Sequence, residues 1–209
     1  MFIAQNHRNK LTMRLKTSLI VLLLLFGTTI FTYSQTSQEV FETSSRVNKN
    51  GMLILGGWAI ANMAYGAYGS IHYKHEKKYF HQMNLMWNVV NAGIAGFALY
   101  NFATTDYSIL THEQMLNEHL ETQKLYLINA GLDLAYIAGG AYLVHKSKSS
   151  LNYPHLLEGY GKSVILQGGF LFVFDVVMYL IQTKQTSNFY RIAENVNLTT
   201  QGFSLTLSF

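Results

Sequence analysis

The chain has 209 residues, of which 49% are hydrophobic and only 12% charged. Soluble domains carry about 25% charged residues, so the deficit points to a protein embedded in a bilayer. The net charge of +4 comes without a basic block long enough for a nucleic-acid surface. The 0 cysteines exclude disulfides, thiolate metal sites and a cysteine-linked lipid anchor.

At the N-terminus, Arg8, Lys10, Arg14 and Lys16 precede an apolar run from Leu19 to Ile30, and Thr32-Tyr33-Ser34 follows with small residues at its first and third positions. Charge, apolar run and small-residue site in that order predict a signal peptide over 1–34, cleaved after Ser34. Met13 offers an alternative start. The rival is an uncleaved fifth helix, for which the run is short against the ~20 residues a span needs. Residues 35–50 then form an extracytoplasmic segment. Val40, Phe41, Ser44 and Val47 recur in it at helical spacing and predict a short surface helix before the membrane.

Four further apolar runs follow, at about 51–73, 79–102, 125–145 and 159–181, with no Lys or Arg in their interiors; Lys162 stands near the start of the fourth. A run of ~21 residues at 1.5 Å each spans roughly 30 Å, the thickness of a hydrocarbon core. The expected fold is an all-α membrane protein: four transmembrane helices in a bundle over 51–182, with a short β-prone C-terminal tail. Lys74, Lys77 and Lys78 follow the first run, and Lys146 and Lys148 follow the third. The loop between the second and third carries Asp106, Glu113, Glu118 and Glu121 against Lys124. The positive-inside rule places the first and third loops in the cytoplasm. The mature ends then face the periplasm of a bacterial inner membrane. Thr111-His-Glu-Gln114 reads as a capping box that starts a helix near His112.

In the tail, 183–209, Phe203, Leu205, Leu207 and Phe209 alternate with polar residues. Asn195 to Thr200 alternates more weakly, and Gln201-Gly202 makes the expected turn of an extracytoplasmic hairpin. A strand ending on Phe also resembles the last strand of an outer-membrane barrel, which leaves outer-membrane association as a minor alternative.

The first and third runs share a pattern. Asn62-Met-Ala-Tyr65 matches Asp133-Leu-Ala-Tyr136, and Gly69 stands opposite Gly140. A duplicated helix pair would produce it. Gly57 with Ala61, and Ala92 with Gly96, are the expected points of close helix approach.

The residues that carry chemistry are the polar ones inside the runs: Asn62, Asn84, Asn88, Asn91, Asn129, Asp133, Gln167 and Asp175. An aspartate at mid-membrane costs about 2.5–3.5 kcal/mol on insertion scales. With no Lys or Arg near it in the runs to pair with, the neutral acid is the cheaper form. Two uses follow. These groups can hydrogen-bond the helices together, making a non-catalytic scaffold or assembly component whose partners are the bilayer, other membrane proteins or further copies of the chain. Alternatively, Asp133 and Asp175 can hold a proton or cation in a small transporter or conduit. A membrane enzyme on a lipid-phase substrate is the weaker third. The contexts Gly131-Leu132-Asp133 and Phe174-Asp175 do not match intramembrane aspartyl proteases.

Histidines add little. His72, His75 and His81 cluster at the inner ends of the first two runs, where they read as headgroup-level residues. His112 and His119 stand two turns apart as weak metal candidates. No motif for an acyl-enzyme serine, a zinc protease, a phosphate loop or a dinucleotide site occurs, and no cofactor is expected.

The stretches Gly56-Gly57-Trp58-Ala59, Phe80-His-Gln-Met-Asn84 through Trp87-Asn-Val-Val-Asn91, Asn129-Ala-Gly-Leu-Asp133 and Gly159-Tyr-Gly-Lys162 through Gln167-Gly-Gly169 resemble an uncharacterised family of small membrane proteins from Bacteroidota. That resemblance covers about 51–181. It implies localisation and topology and no activity.

Overall fold

The computed structural model describes residues 37–195, 197–199 and 202–204. The signal-peptide expectation over 1–34 and the alternation at 205–209 lie outside the described residues. The described elements are α1 (Ser37–His72), α2 (His75–Thr104), a 3-10 turn (Tyr107–Ile109), α3 (His112–Ser147), α4 (Pro154–Asn195), β1 (Asn197–Thr199) and β2 (Gly202–Ser204).

The helix ends follow from local chemistry. Only Tyr73 and Lys74 separate α1 from α2, and His75 absorbs the reversal with a left-handed φ of 53°. Asp106 caps the 3-10 turn by accepting from the Ser108 N–H at 2.9 Å and its hydroxyl at 2.7 Å. Those two donors, the hydroxyl foremost, hold the Asp106 carboxyl below the usual carboxylate range. Helix α3 opens on the expected capping box. The Gln114 N–H donates to Thr111 Oγ1 at 3.3 Å, and the Thr111 N–H to Gln114 Oε1 at 2.9 Å. Helix α4 starts on Pro154, where a missing N–H breaks no helical bond.

Three of the helices are longer than their apolar runs, and α3 starts at His112 as the capping box predicts. Helices α1 and α3 have 36 residues and α4 has 42, so each exceeds a ~30 Å core by roughly 20 Å or more. The excess gathers at one end, termed the upper end, which holds the start of α1, the start of α3 and the last turns of α4. The separate surface helix expected at 40–47 is instead the beginning of α1. The first part of the expected tail, 183–195, continues α4. Both extensions have a packing reason: Val40, Phe41, Met115 and Phe189 bury one another there, and Phe189 is fully enclosed. Beyond α4, β1 and β2 pair antiparallel, Leu198 opposite Phe203 and Thr199 opposite Gly202. Gly202 is thus a strand residue rather than part of the turn.

Helix α1 packs on α2, and α3 packs on α4. Helix α4 also lies along α2, whereas α2 and α3 hardly meet. Glycines set the tightest approaches. A Cβ on Gly140 would stand 2.8 Å from the Gly161 carbonyl oxygen, one on Gly159 2.7 Å from the Phe80 nitrogen, and one on Gly69 inside the His81 ring. Gly57 and Gly96, expected to make such contacts, have open space beside them. The equivalence of Gly69 and Gly140 takes physical form: each brings the first helix of its pair against the second.

Among the described residues, two helices are long and apolar enough to cross a membrane, His112–Ser147 and Pro154–Tyr190. Of the four spans expected from the sequence, these two meet that measure of length and composition. Helix α2 spends its inward face on His81, Asn84, Asn88 and Asn91, and α1 carries Asn48 and Asn62. Exposure is inverted relative to a soluble fold. Asn84, Asn88 and Gln167 are 0% exposed, whereas Ile60 and Phe97 are 67% and 69% exposed.

Candidate polar site within the bundle

The interior polar groups fall into three levels. The lowest joins α1, α2 and α4. Gln167 donates its amide N–H to Asn84 Oδ1, and its Oε1 accepts the Trp58 indole N–H at 3.0 Å. Asn84 donates to the Asn62 carbonyl at 3.0 Å, and Asn62 donates to the Trp58 carbonyl at 2.9 Å. Asn88, one turn up, donates to the Asn84 carbonyl at 2.8 Å. Trp58 stacks on Phe170 with ring centroids 3.9 Å apart and seals the level above. These amides satisfy one another, as buried polar groups must.

The middle level behaves differently. Asp133 of α3 and Asp175 of α4 are 3% and 5% exposed, and their carboxyls lie within hydrogen-bonding reach of each other. Oδ2 of Asp133 is buried, and no amide or hydroxyl donates to it. Both carboxyls line a cavity of about 390 Å³ in the gap between α2 and α3. Asn91, Asn129, Tyr126 and Tyr136 share its wall, and Trp87 closes its lower side edge-on to Tyr136, with centroids 4.9 Å apart. Asn91 also reaches down to Asn88 Oδ1 at 3.5 Å, a link to the level below.

The upper level ties the helix extensions together. His119 of α3 is 2% exposed. Its Nδ1 lies 2.8 Å from Ser44 Oγ of α1 and its Nε2 2.8 Å from Thr186 Oγ1 of α4. Burial keeps this imidazole below its ordinary range, and a contact with the Gln182 backbone opposes that only in part. Ser44 donates to Gln182 Oε1 at 2.7 Å, Gln182 donates to Asn48, and Tyr126 donates to Asn48 at 3.2 Å. A second cavity of about 480 Å³ opens here between α2 and α3. It shares Met52, Ile94, Tyr126 and Asn129 with the middle one, so the two abut as one groove. No lysine or arginine is among the residues that line either cavity.

The eight residues picked from the sequence therefore divide. Asn62, Asn84, Asn88 and Gln167 belong to the lower network, and Asn91, Asn129, Asp133 and Asp175 to the cavity. His119 spends both ring nitrogens on hydroxyls. His112 and His119 both lie against Phe189, and among the described residues no three His, Cys, Asp or Glu side chains gather as metal ligands. Of the lower histidines, His81 is buried among Tyr65, Tyr73 and Phe80, whereas His75 turns to His155. Sequence reasoning missed Ser44, Asn48 and Gln182. Ser44 belongs to the helical stripe of 40–47, Asn48 stands one turn after it, and Gln182 follows the last apolar run, which was the available signal.

A family model matches residues 54–176, more than half of the chain and a stretch that holds all eight of those polar residues. No curated protein and no solved structure matches the chain. The chain belongs to the family of unknown function DUF6992.

Proposed function

We propose that this is a multi-pass integral membrane protein whose paired carboxyls, Asp133 and Asp175, bind a proton or a cation. Polar side chains inside and isoleucine, valine and phenylalanine outside suit a hydrocarbon solvent. The basic first and third loops and the acidic second favour the orientation with the upper end in the periplasm of a bacterial inner membrane. The resemblance to small Bacteroidota membrane proteins agrees with that placement.

The observation that carries the functional part is an Asp133 oxygen, buried with no amide or hydroxyl donating to it, on a residue that lines a cavity beside a second carboxyl. Structural glue needs saturated partners, and the lower amide network supplies them. A carboxyl pair with one oxygen left unpartnered, on residues that line open volume, is instead arranged for something that arrives. The groove leads to the pair from the upper end, while the amide network and the Trp58–Phe170 stack close the bundle below. A binding site reached from one side fits this arrangement better than an open conduit.

A hydrophobic carbodiimide, which adds to a protonated carboxyl from the lipid phase, tests this. In native membranes, the adduct is expected on Asp133 or Asp175, located by peptide mass, and is lost in Asp133→Asn/Asp175→Asn. A folded protein that takes no adduct at either position would overturn the proposal.

A further inference from the structure

The walls around the carboxyl pair say more than that a charge is accepted. Four aromatic side chains, Trp87, Tyr126, Tyr136 and Phe174, line the same 390 Å³ cavity as the two aspartates. Aromatic faces attract cations through their quadrupole, most strongly when water is excluded, and tryptophan does so best. Among the described residues no three His, Cys, Asp or Glu side chains gather to hold a bare metal ion. An anion has no lysine or arginine to meet in either cavity. What remains suited to aromatic walls, a carboxyl pair and adjoining apolar volume is a substituted ammonium group attached to an apolar body.

Room for that body is present. The upper cavity adds about 480 Å³ and continues past Met52, Ile94 and Leu125. From Asp133 to Glu118, α3 rises roughly 22 Å along the groove at 1.5 Å per residue. Glu118 stands at the upper end and keeps the entrance acidic. A chain lying in the groove would therefore have its ammonium at Asp133 and Asp175 and its apolar part along the α2–α3 gap.

We infer that the groove between α2 and α3 binds an amphiphilic organic ammonium ion, with its charged group held by Asp133 and Asp175 and faced by Trp87. This rests on the carboxyl pair being a membrane-embedded binding site. The test uses the full chain in lipid vesicles and follows carbodiimide addition to the two aspartates. Dodecylammonium is the probe, and dodecanol at the same membrane fraction is the neutral control. Dodecylammonium is expected to slow the addition, and dodecanol is not. Trp87→Phe should weaken the protection and Trp87→Leu weaken it further, by roughly 2- to 30-fold in the concentration needed. Labelling that dodecylammonium fails to slow, or that dodecanol slows equally, would overturn the inference and leave the carboxyl site standing. Equal protection by dodecanol would mean that the groove takes any lipid chain. No labelling at either aspartate in a folded protein would remove the site and the inference together.

Discussion

The lower amide network and the aspartate pair are built from similar residues at similar burial, yet they are different kinds of object. Gln167, Asn84 and Asn62 each have a partner for the groups they bury, and the bonds run between three helices. Asp133 and Asp175 have chiefly each other, and they face volume. The difference teaches that a polar residue inside a bundle is not by itself a site. What separates glue from site is whether the hydrogen-bonding capacity is used up inside the fold.

The strongest way to break this contrast is to empty the network. Gln167→Ala would orphan the Trp58 indole N–H and leave Asn84 Oδ1 with the longer 3.4 Å bond from Asn88. It should destabilise the protein by roughly 2–4 kcal/mol, from about 1–3 for each buried group left unpaired or poorly paired. Unfolding in detergent would read this. Slightly smaller is the effect of Gly140→Ala, whose new methyl would press on the Gly161 carbonyl and the Ile165 side chain, both at 2.8 Å. About 1–3 kcal/mol is expected for such overpacking. Because Gly140 lies two turns below Asp133 on α3, carbodiimide reactivity of the pair should change in the same variant. Smaller again is Asp133→Asn/Asp175→Asn. Interhelical side-chain bonds in membranes average about 0.6 kcal/mol, and amides of the same shape can still bond, so stability should move by less than about 1 kcal/mol.

The smallest effect concerns acid. His119 lies outside the apolar runs, buried and held below its ordinary range. The unfolded chain therefore takes up this proton before the folded one does. Stability is full above about pH 6.5 and falls as the pH drops from there towards the folded value. Melting in detergent across that window should show the loss, and His119→Gln should flatten it.

Much of the fold was legible in the sequence. The four helices followed from apolar runs and from the Thr111–Gln114 box, because both signals are local. The helix extensions were not, since Val40, Phe41, Met115 and Phe189 come together from three helices that no single window contains. Nor were the true contact glycines. A small residue signals close approach only once the facing element is known, and Gly57 and Gly140 look alike until then. For the site, composition and spacing picked out the four residues of the lower network, the four that line the cavity (Asn129 among them, though exposed) and the pairing of Asp133 with Asp175 in depth, and missed the buried Ser44, Asn48 and Gln182. They could not divide the eight into network and cavity. That division depends on Trp58 reaching Gln167 across 109 positions, and on the gap between α2 and α3.

The central claim is that the two polar regions do separate jobs, and paired unfolding measurements test it most directly. Asn84→Leu/Gln167→Leu and Asp133→Asn/Asp175→Asn would be compared with the natural chain in the same detergent. The account predicts a large loss of stability in the first variant and almost none in the second. Equal losses in both would show that the aspartates are glue as well, and would contradict the division on which the site rests.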